Sequence, residues 1–526
     1  MSDSRPNIIL ILADDMGYSD IGCYGSEIET PNLDELGEGG IRFTQMYNCA
    51  RCCPSRASLL TGLYPHQAGV GHMVHNLGVP AYQGYLNDNC ITIAETLRLA
   101  GYRTLLSGKW HVGGYYSTHS EEWRPGEKEH PTPGDRGFQH WFGALAGAGS
   151  YFNPHALARD GEFVQPEGDA FYYTDAISDE AAAMIDLYAG EPEPFFLYVG
   201  YTAPHWPLHA LPEDIERYRG KYARGWDILR TQRHEELKGL GILSRKWPIS
   251  PRDEQAPPWP EIREQDWEDA RMAVYAAQVD RMDQGIGKII AKLAERGIQE
   301  NTLVIFLSDN GGCAELLRED GNIGSAPPYT RDGRPVRIGN TREVMPGTDD
   351  TFMSYDLPWA NASNTPFRLY KHWVHEGGIS TPFIVYWPGR IDAGSITHQP
   401  AHLIDIMPTC LEAAGARYPK ECEGRPILPL EGESLVPAFG DQDWSRGQEI
   451  CWEHEGNRAV RQGRWKLVSR HPGKWELYAM DDDRTELDDL SARYPDKVKE
   501  LESIYNVWAE RCGVLPWEKI RPRRKG

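Results

Sequence analysis

Asn7-Ile-Ile-Leu-Ile-Leu-Ala-Asp-Asp-Met-Gly17 opens with an unbroken apolar run and stops in two adjacent carboxylates. A strand with one wet face alternates apolar and polar side chains. The unbroken run instead reads as a strand covered on both faces, the pattern of a parallel sheet between helices. Asp14 and Asp15 follow where that buried strand ends. Paired carboxylates there are costly unless water or a cation meets them.

The arrangement recurs along the chain. Strand-like runs at 103–106, 195–201 and 302–307 empty into Ser107-Gly-Lys-Trp-His111, Thr202-Ala-Pro-His-Trp-Pro-Leu-His209 and Ser308-Asp-Asn-Gly-Gly312. A further run at 383–387 follows His375-Glu-Gly-Gly-Ile-Ser-Thr-Pro382. Helical patterns alternate with them. Thr92-Ile-Ala-Glu95 is a capping box opening a helix to Leu99, stopped at Gly101. Residues 178–188 and 402–414 read as helices, the second bent at Pro408. Met272, Tyr275, Val279, Met282, Ile286, Ile290 and Leu293 recur at spacings of three and four, a long amphipathic helix ending near Gly297. The fold class is therefore α/β, a large mixed, mostly parallel sheet sandwiched by helices. Ligands of such sheets gather at the carboxyl ends of strands. Asp14, Asp15, Lys109, His111, His205, Asp309 and Asn310 all fall there.

Residues 113–170 and 313–366 lack periodicity and read as loops over the site, and 212–267 reads as an insert of short helices. Tyr115, Tyr116, Trp141, Tyr151 and Trp359 in these stretches suit stacking on a ring or burial in a core. After about Gly440 come short strands separated by Gly456-Asn, Gln462-Gly and Pro472-Gly, then a helix carrying Val498, Leu501, Ile504 and Trp508 on one face. The expected division is a catalytic domain over 1–440 and an antiparallel sheet with a helix over 441–526.

The chain has 526 residues, 55 Lys+Arg against 77 Asp+Glu, and a net charge of −22. That surface repels nucleic acid and anionic membranes, so neither is expected as a partner, and a small substrate fits better than a polyanion. No apolar window reaches the length of a membrane span. Met-Ser-Asp-Ser-Arg-Pro leads straight into a strand with no signal-peptide pattern, so a cytoplasmic location is expected. Ten cysteines are ordinary usage rather than a disulfide scaffold. The basic run Arg521-Pro-Arg-Arg-Lys525 reads as a solvated tail.

Three of those cysteines crowd into Asn48-Cys-Ala-Arg-Cys-Cys-Pro-Ser-Arg-Ala-Ser-Leu-Leu-Thr-Gly62. Pro54 suits the first position of a helix, and Gly62 can end it. Cys52 then sits at a helix N-terminus, where free N–H groups favour anions and lower a thiol pKa, with Arg56 one turn on. A zinc knot or plain burial are the alternatives; a knot needs a second cluster of matching spacing, and none stands out. Asp14, Asp15, Asp309 and Asn310 offer only oxygen, which favours a hard cation, calcium or magnesium. Lys109, Lys371 and Arg56 supply fixed positive charge, and His111 and His205 suit acid–base work on an anion.

Cys52-Cys-Pro-Ser-Arg56 followed by Thr61-Gly62 resembles the signature of type I sulfatases, formylglycine-dependent enzymes of the alkaline phosphatase superfamily. The resemblance extends through the Asp-Asp pair, Gly-Lys-Trp-His, Ala-Pro-His, Ser-Asp-Asn-Gly, Lys371 with its Glu-Gly-Gly, and Arg461-Gln-Gly-Arg-Trp-Lys466. It is nearest in character to soluble bacterial arylsulfatases. Ser380 departs from it, standing where the family carries arginine. The resemblance implies a sulfuric ester hydrolase acting on a small aryl or carbohydrate sulfate. It implies that a maturation enzyme oxidises Cys52 to formylglycine, whose hydrate joins Asp14, Asp15, Asp309 and Asn310 around calcium, with magnesium second. One hydroxyl attacks sulfur while Lys109, Lys371 and Arg56 stabilise charge; His205 protonates the leaving alcohol, and His111 takes the remaining diol proton. A phosphonate monoester or phosphodiester hydrolase of the same superfamily, or an unmatured protein that binds sulfate esters, are the competing readings.

Overall fold

The computed structural model describes residues 5–116, 124–319, 321, 323–422, 424–440 and 444–520. The basic run at 521–525 lies outside them. In chain order the strands are β1 (Asn7–Ala13), β2 (Ile41–Tyr47), β3 (Arg103–Gly108), β4 (His140–Ala144), β5 (Leu157–Arg159), β6 (Glu162–Phe163), β7 (Phe195–Gly200) and β8 (Thr302–Ser308). The short pair β9 (Arg337–Ile338) and β10 (Thr351–Phe352) comes next, then β11 (Ser380–Tyr386) and β12 (Ser395–His402). Among the described residues one ten-stranded sheet runs β12-β2-β11-β8-β1-β7-β3-β4-β5-β6. The five strands from β8 to β4 are parallel, while β11 and β5 run against their neighbours.

β1 lies at the centre, paired with β8 on one side and β7 on the other. Its alternate residues feed two cores. Ile9 and Ile11 join Leu197, Val304 and the Met272, Val279 and Ile286 stripe of the helix Gln265–Glu295. Ile8, Leu10 and Leu12 join Phe196, Ile305 and the helix Cys52–Thr61. Both faces being dry is why β1 reads as continuous apolar sequence.

Several elements depart from the sequence reading. β2 is an unread strand, because Arg42, Thr44 and Gln45 interrupt its apolar text. β12 holds Pro400 and ends at His402, so the expected helix at 402–414 shortens to Ile406–Ala413. Edge strands tolerate proline. Pro408 sits in the first turn of that helix, where its missing N–H breaks no hydrogen bond. The stretch 113–170 contains β4, β5 and β6, and 313–366 contains the helix Asp356–Ser363. Within 212–267 lies the 15-residue helix Gly225–Gly239. It is mostly polar, and Arg233 anchors it to the buried carboxylate of Asp20 and to Glu27 at 2.8 Å. Trp226, Leu229 and Leu237 on the same face join the core, so ion pairing and apolar burial stabilise it together. Trp141, Tyr151 and Trp359 are core residues, Trp359 packing edge-on against Trp226 and Trp259.

After the hairpin β13 (Glu421–Cys422) and β14 (Arg425–Pro426), a four-stranded antiparallel meander follows: β15 (Ile450–His454), β16 (Asn457–Gln462), β17 (Trp465–Ser469) and β18 (Glu476–Ala479). One face packs on Leu501, Tyr505 and Trp508 of the helix Pro495–Cys512, the other on Tyr47, Val374 and Ile379 of the main body. Beneath it Lys466 Nζ lies 2.8 Å from both Glu376 and Glu486. Among the described residues no helix is long and apolar enough to cross a membrane.

Candidate active site

The turns beyond β1, β3, β7 and β8 stay in register after the strands end. Asp14 N–H donates to Ala203 O at 3.1 Å, Lys109 N–H to Gly200 O at 2.7 Å, and Asp309 N–H to Ala13 O at 3.1 Å. Backbone pairing therefore delivers Asp14, Asp15, Lys109, His205, Asp309 and Asn310 to one place. Asp15 (φ 65°) and His111 (φ 56°) adopt left-handed backbone, a cost of order 1–3 kcal/mol that surrounding structure must impose and that concentrates at functional sites.

Charges alternate there. Lys109 Nζ donates to Asp14 Oδ2, and Lys371 Nζ lies 2.8 Å from Asp15 Oδ1. Lys371 Nζ is also 3.2 Å from His205 Nε2, whose Nδ1 meets Trp206 O at 2.6 Å. All are buried. Burial pushes the Asp14 carboxyl up, but Lys109, His205 and Arg56 outweigh it and hold it below its ordinary value. Burial, then the Asp14 charge, pushes Asp309 well above its own. Burial lowers His205 against the pull of Asp15, whose Oδ2 lies 3.3 Å from Nε2, so the ring is neutral near pH 7 with Nδ1–H donated to Trp206.

Arg56 is not on the cleft wall. Its guanidinium is fully buried and donates to Asp309 Oδ2 at 3.0 Å, Lys109 O at 3.1 Å and Tyr198 OH at 3.1 Å. The expectation of direct anion contact by Arg56 is corrected: its donors are all used by protein groups.

Cys52 is the first residue of its helix, which Gly62 ends with φ 66° and an N–H donated to Ser58 O. Pro54 is the third helical residue rather than the first. The Cys52 thiol is held well below its ordinary pKa, first by the Cys53 thiol and then by Lys109, His111 and Lys371. Cys53 Sγ lies 4.0 Å from Cys52 Sγ and 3.3 Å from His111 Nε2. Burial pushes His111 down to about 4. Cys52, Cys53 and His111 form a compact group of soft ligands, whereas Cys49 turns away to Ser58 Oγ at 3.4 Å.

The oxygen set fits a hard cation. Asp14 Oδ1 and Asn310 Oδ1 are buried with no hydrogen-bond partner, while Asn310 Nδ2 donates to Asp15 Oδ1 at 2.7 Å. Uncompensated acceptors beside three carboxylates disfavour the empty state, and carboxylates with an amide oxygen are calcium or magnesium ligands.

A cleft of ≈ 240 Å³ opens over Cys52, His111, His205 and Lys371. Tyr115, Tyr116, His75 and Trp206 line its walls. Sequence reasoning missed Glu315, which takes Arg51 Nη1 at 2.8 Å and Trp206 Nε1 at 3.0 Å on the rim. It lies in text without periodicity, and nothing local marks it. Gly147 is also there: a Cβ at that position would collide with the His111 imidazole.

This constellation sits where the sulfatase family model matches, over residues 6–416. The chain belongs to the sulfatase family. A model of the N-sulphoglucosamine sulphohydrolase C-terminal region matches residues 367–505. The sulfatase is 36% identical to an arylsulfatase of Klebsiella aerogenes, with 85% of this chain and 94% of the relative covered. It is 32% identical to an uncharacterized sulfatase of Schizosaccharomyces pombe, with 97% and 94% covered. The crystal structure of Ps i-CgsB in complex with k-i-k-neocarrahexaose matches it with a TM-score of 0.67 at 26% identity, covering 96% of this chain and 93% of that one. The sulfatase is thus an enzyme of sulfate-ester hydrolysis on an α/β fold. Ser380 is met by Arg484, which donates to Ser380 Oγ at 3.2 Å and to Glu376 Oε2 at 3.0 Å.

Proposed function

We propose that the sulfatase releases inorganic sulfate from a small aryl or carbohydrate sulfate ester, with residue 52, converted to formylglycine and hydrated, as the oxygen nucleophile. The observation that carries this reading is the position of Cys52, first in its helix and lining the cleft with Lys371, His111 and His205, with Lys109 near enough to lower its thiol pKa. A divalent cation held by Asp14, Asp15, Asp309 and Asn310, calcium ahead of magnesium, supplies Lewis-acid stabilisation of the sulfate oxygens.

The chain's own groups do the rest. Lys109 and Lys371 hold the sulfate by charge and keep doing so as negative charge grows on its oxygens. Arg56 fixes the Asp309 carboxylate. His205 is neutral in the free enzyme, and an arriving anion favours its imidazolium, which then protonates the leaving oxygen from Nε2. His111, neutral at pH 7, is ready to accept a proton from residue 52. Tyr115, Tyr116 and Trp206 offer aromatic faces to one ring, in keeping with the aryl activity named for the Klebsiella relative and the carbohydrate bound by Ps i-CgsB. Cys52 is only 2% exposed, so a maturation enzyme reaches it before the fold closes.

Mass spectrometry of the Cys52 peptide, with rates on 4-nitrophenyl sulfate and bis(4-nitrophenyl) phosphate, tests the reading. An aldehyde at residue 52 and a preference for the sulfate are expected. A thiol in fully active material, or a large phosphodiester preference, overturns it.

A further inference from the structure

The turn joining β15 to β16 carries a second cluster of metal-ligand side chains that sulfate chemistry leaves unused. Glu455 occupies it in left-handed backbone, φ 50°. Its Oε1 lies 3.2 Å from His72 Nδ1 and 3.7 Å from His454 Nε2. These three donor atoms all fall within 4.8 Å of one another. Donors at 2.0–2.1 Å from a tetrahedral zinc ion stand about 3.3 Å apart, so the group is already near ligand spacing.

Hydrogen bonding does not account for His454. His454 is fully buried, and neither ring nitrogen has a hydrogen-bond partner, while His72 Nδ1 faces only the Glu455 carboxylate. Unpartnered buried imidazole nitrogens are expensive and rare. Burial favours the neutral form of His454, which is the ligating form. His372 Nε2 lies 3.3 Å from Asn457 Nδ2, which can only donate to it. The His372 proton is therefore on Nδ1, 3.3 Å from Glu455 Oε2. That is the outer contact that orients a ligating carboxylate.

We propose that His72, His454 and Glu455 bind one divalent transition-metal ion, zinc foremost, with His372 as a positioning residue. Two imidazoles and one carboxylate suit zinc and disfavour calcium, which separates this site from the oxygen-only set. The ion joins three segments. His72 precedes Met73, Val74 and His75 of the cleft wall; His372 follows Lys371, and its N–H donates to Ala50 O at 2.7 Å beside the Cys52 helix; His454 ends β15 of the C-terminal sheet and Glu455 follows in its turn. Occupancy ties the cleft wall to that sheet.

Competition of the purified enzyme, with calcium in excess, against a chromophoric zinc chelator measures the site, and X-ray absorption reads its ligands. One tight equivalent with a nitrogen/oxygen shell is expected. His72→Ala, Glu455→Gln or His454→Ala should weaken it by at least roughly 100-fold, and His372→Ala by about 10- to 100-fold. No stoichiometric uptake overturns the proposal. So does sulfur in the shell, which places zinc at Cys52, Cys53 and His111, or unchanged affinity in His72→Ala. His72 and Glu455 stand on loop and turn, so their variants keep the test decisive if His454→Ala does not fold.

Discussion

Lys371 Nζ stands 3.2 Å from His205 Nε2. Burial lowers the imidazole pKa, the Asp15 carboxylate 3.3 Å from the same Nε2 opposes that, and the Lys371 ammonium adds to the lowering. If His205 then serves as general acid, His205→Ala loses about 10²- to 10⁴-fold in kcat/KM on esters of poor leaving groups and much less on 4-nitrophenyl sulfate. A plot of rate against leaving-group pKa should steepen in the variant. Equal losses across the series would remove His205 from that role.

Cys52→Ala should bring turnover to background while the protein stays folded. The substitution removes one sulfur from a buried helix start, a loss of order 1 kcal/mol. Near-native circular dichroism and Tm with no sulfate release is the expected pair of readings. Substantial residual activity counts against residue 52 as nucleophile.

Gly147→Ala tests whether the His111 position matters. The added methyl would displace the imidazole, and misplacement of a reacting group by about 1 Å costs on the order of 10²-fold. Steady-state kinetics should show that loss chiefly in kcat, with Tm changed little. A large fall in Tm with kcat preserved would mean that Gly147 serves only packing.

Glu376 sets an acid limit on stability. Burial opposes its charge, but Lys466, Arg484 and Arg461 pull its pKa from 4.5 down to about 2. A depressed carboxylate contributes stability that is complete above the unfolded value near 4.5 and is lost as pH falls through about 2. The shift corresponds to on the order of 3 kcal/mol. Tm of the parent should decline across that window, whereas Glu376→Gln should be destabilised by about 3–5 kcal/mol near pH 7 and show a flatter acid limb. Parallel limbs in the two proteins would show that other carboxylates govern acid unfolding.

Much of the site was legible because strand-end chemistry is local. β1, β3, β7 and β8 announce themselves as apolar runs, and the residues after them are the ones the sheet brings together. What hid the rest was tertiary support. β2 and β12 carry polar residues, and the mostly polar helix Gly225–Gly239 buries only a narrow face, Trp226, Leu229 and Leu237, beside Arg233 meeting Asp20 and Glu27. The aromatics divided for the same reason: Tyr115 and Tyr116 line the cleft, while Trp141, Tyr151 and Trp359 fill cores, a choice that local text does not record.

By itself the sequence determined the sheet class, a helix with Cys52 at its N-terminal end, and an oxygen-rich set of side chains at strand ends, because hydrophobic period, helix capping and ligand chemistry act over a few residues. Tertiary structure alone decided that Arg56 turns to Asp309 rather than to the cleft, that Arg484 meets Ser380 and Glu376, and that His72, His372, His454 and Glu455 meet. Those contacts join residues tens to hundreds of positions apart, and only packing of the C-terminal sheet against the main body fixes their distances.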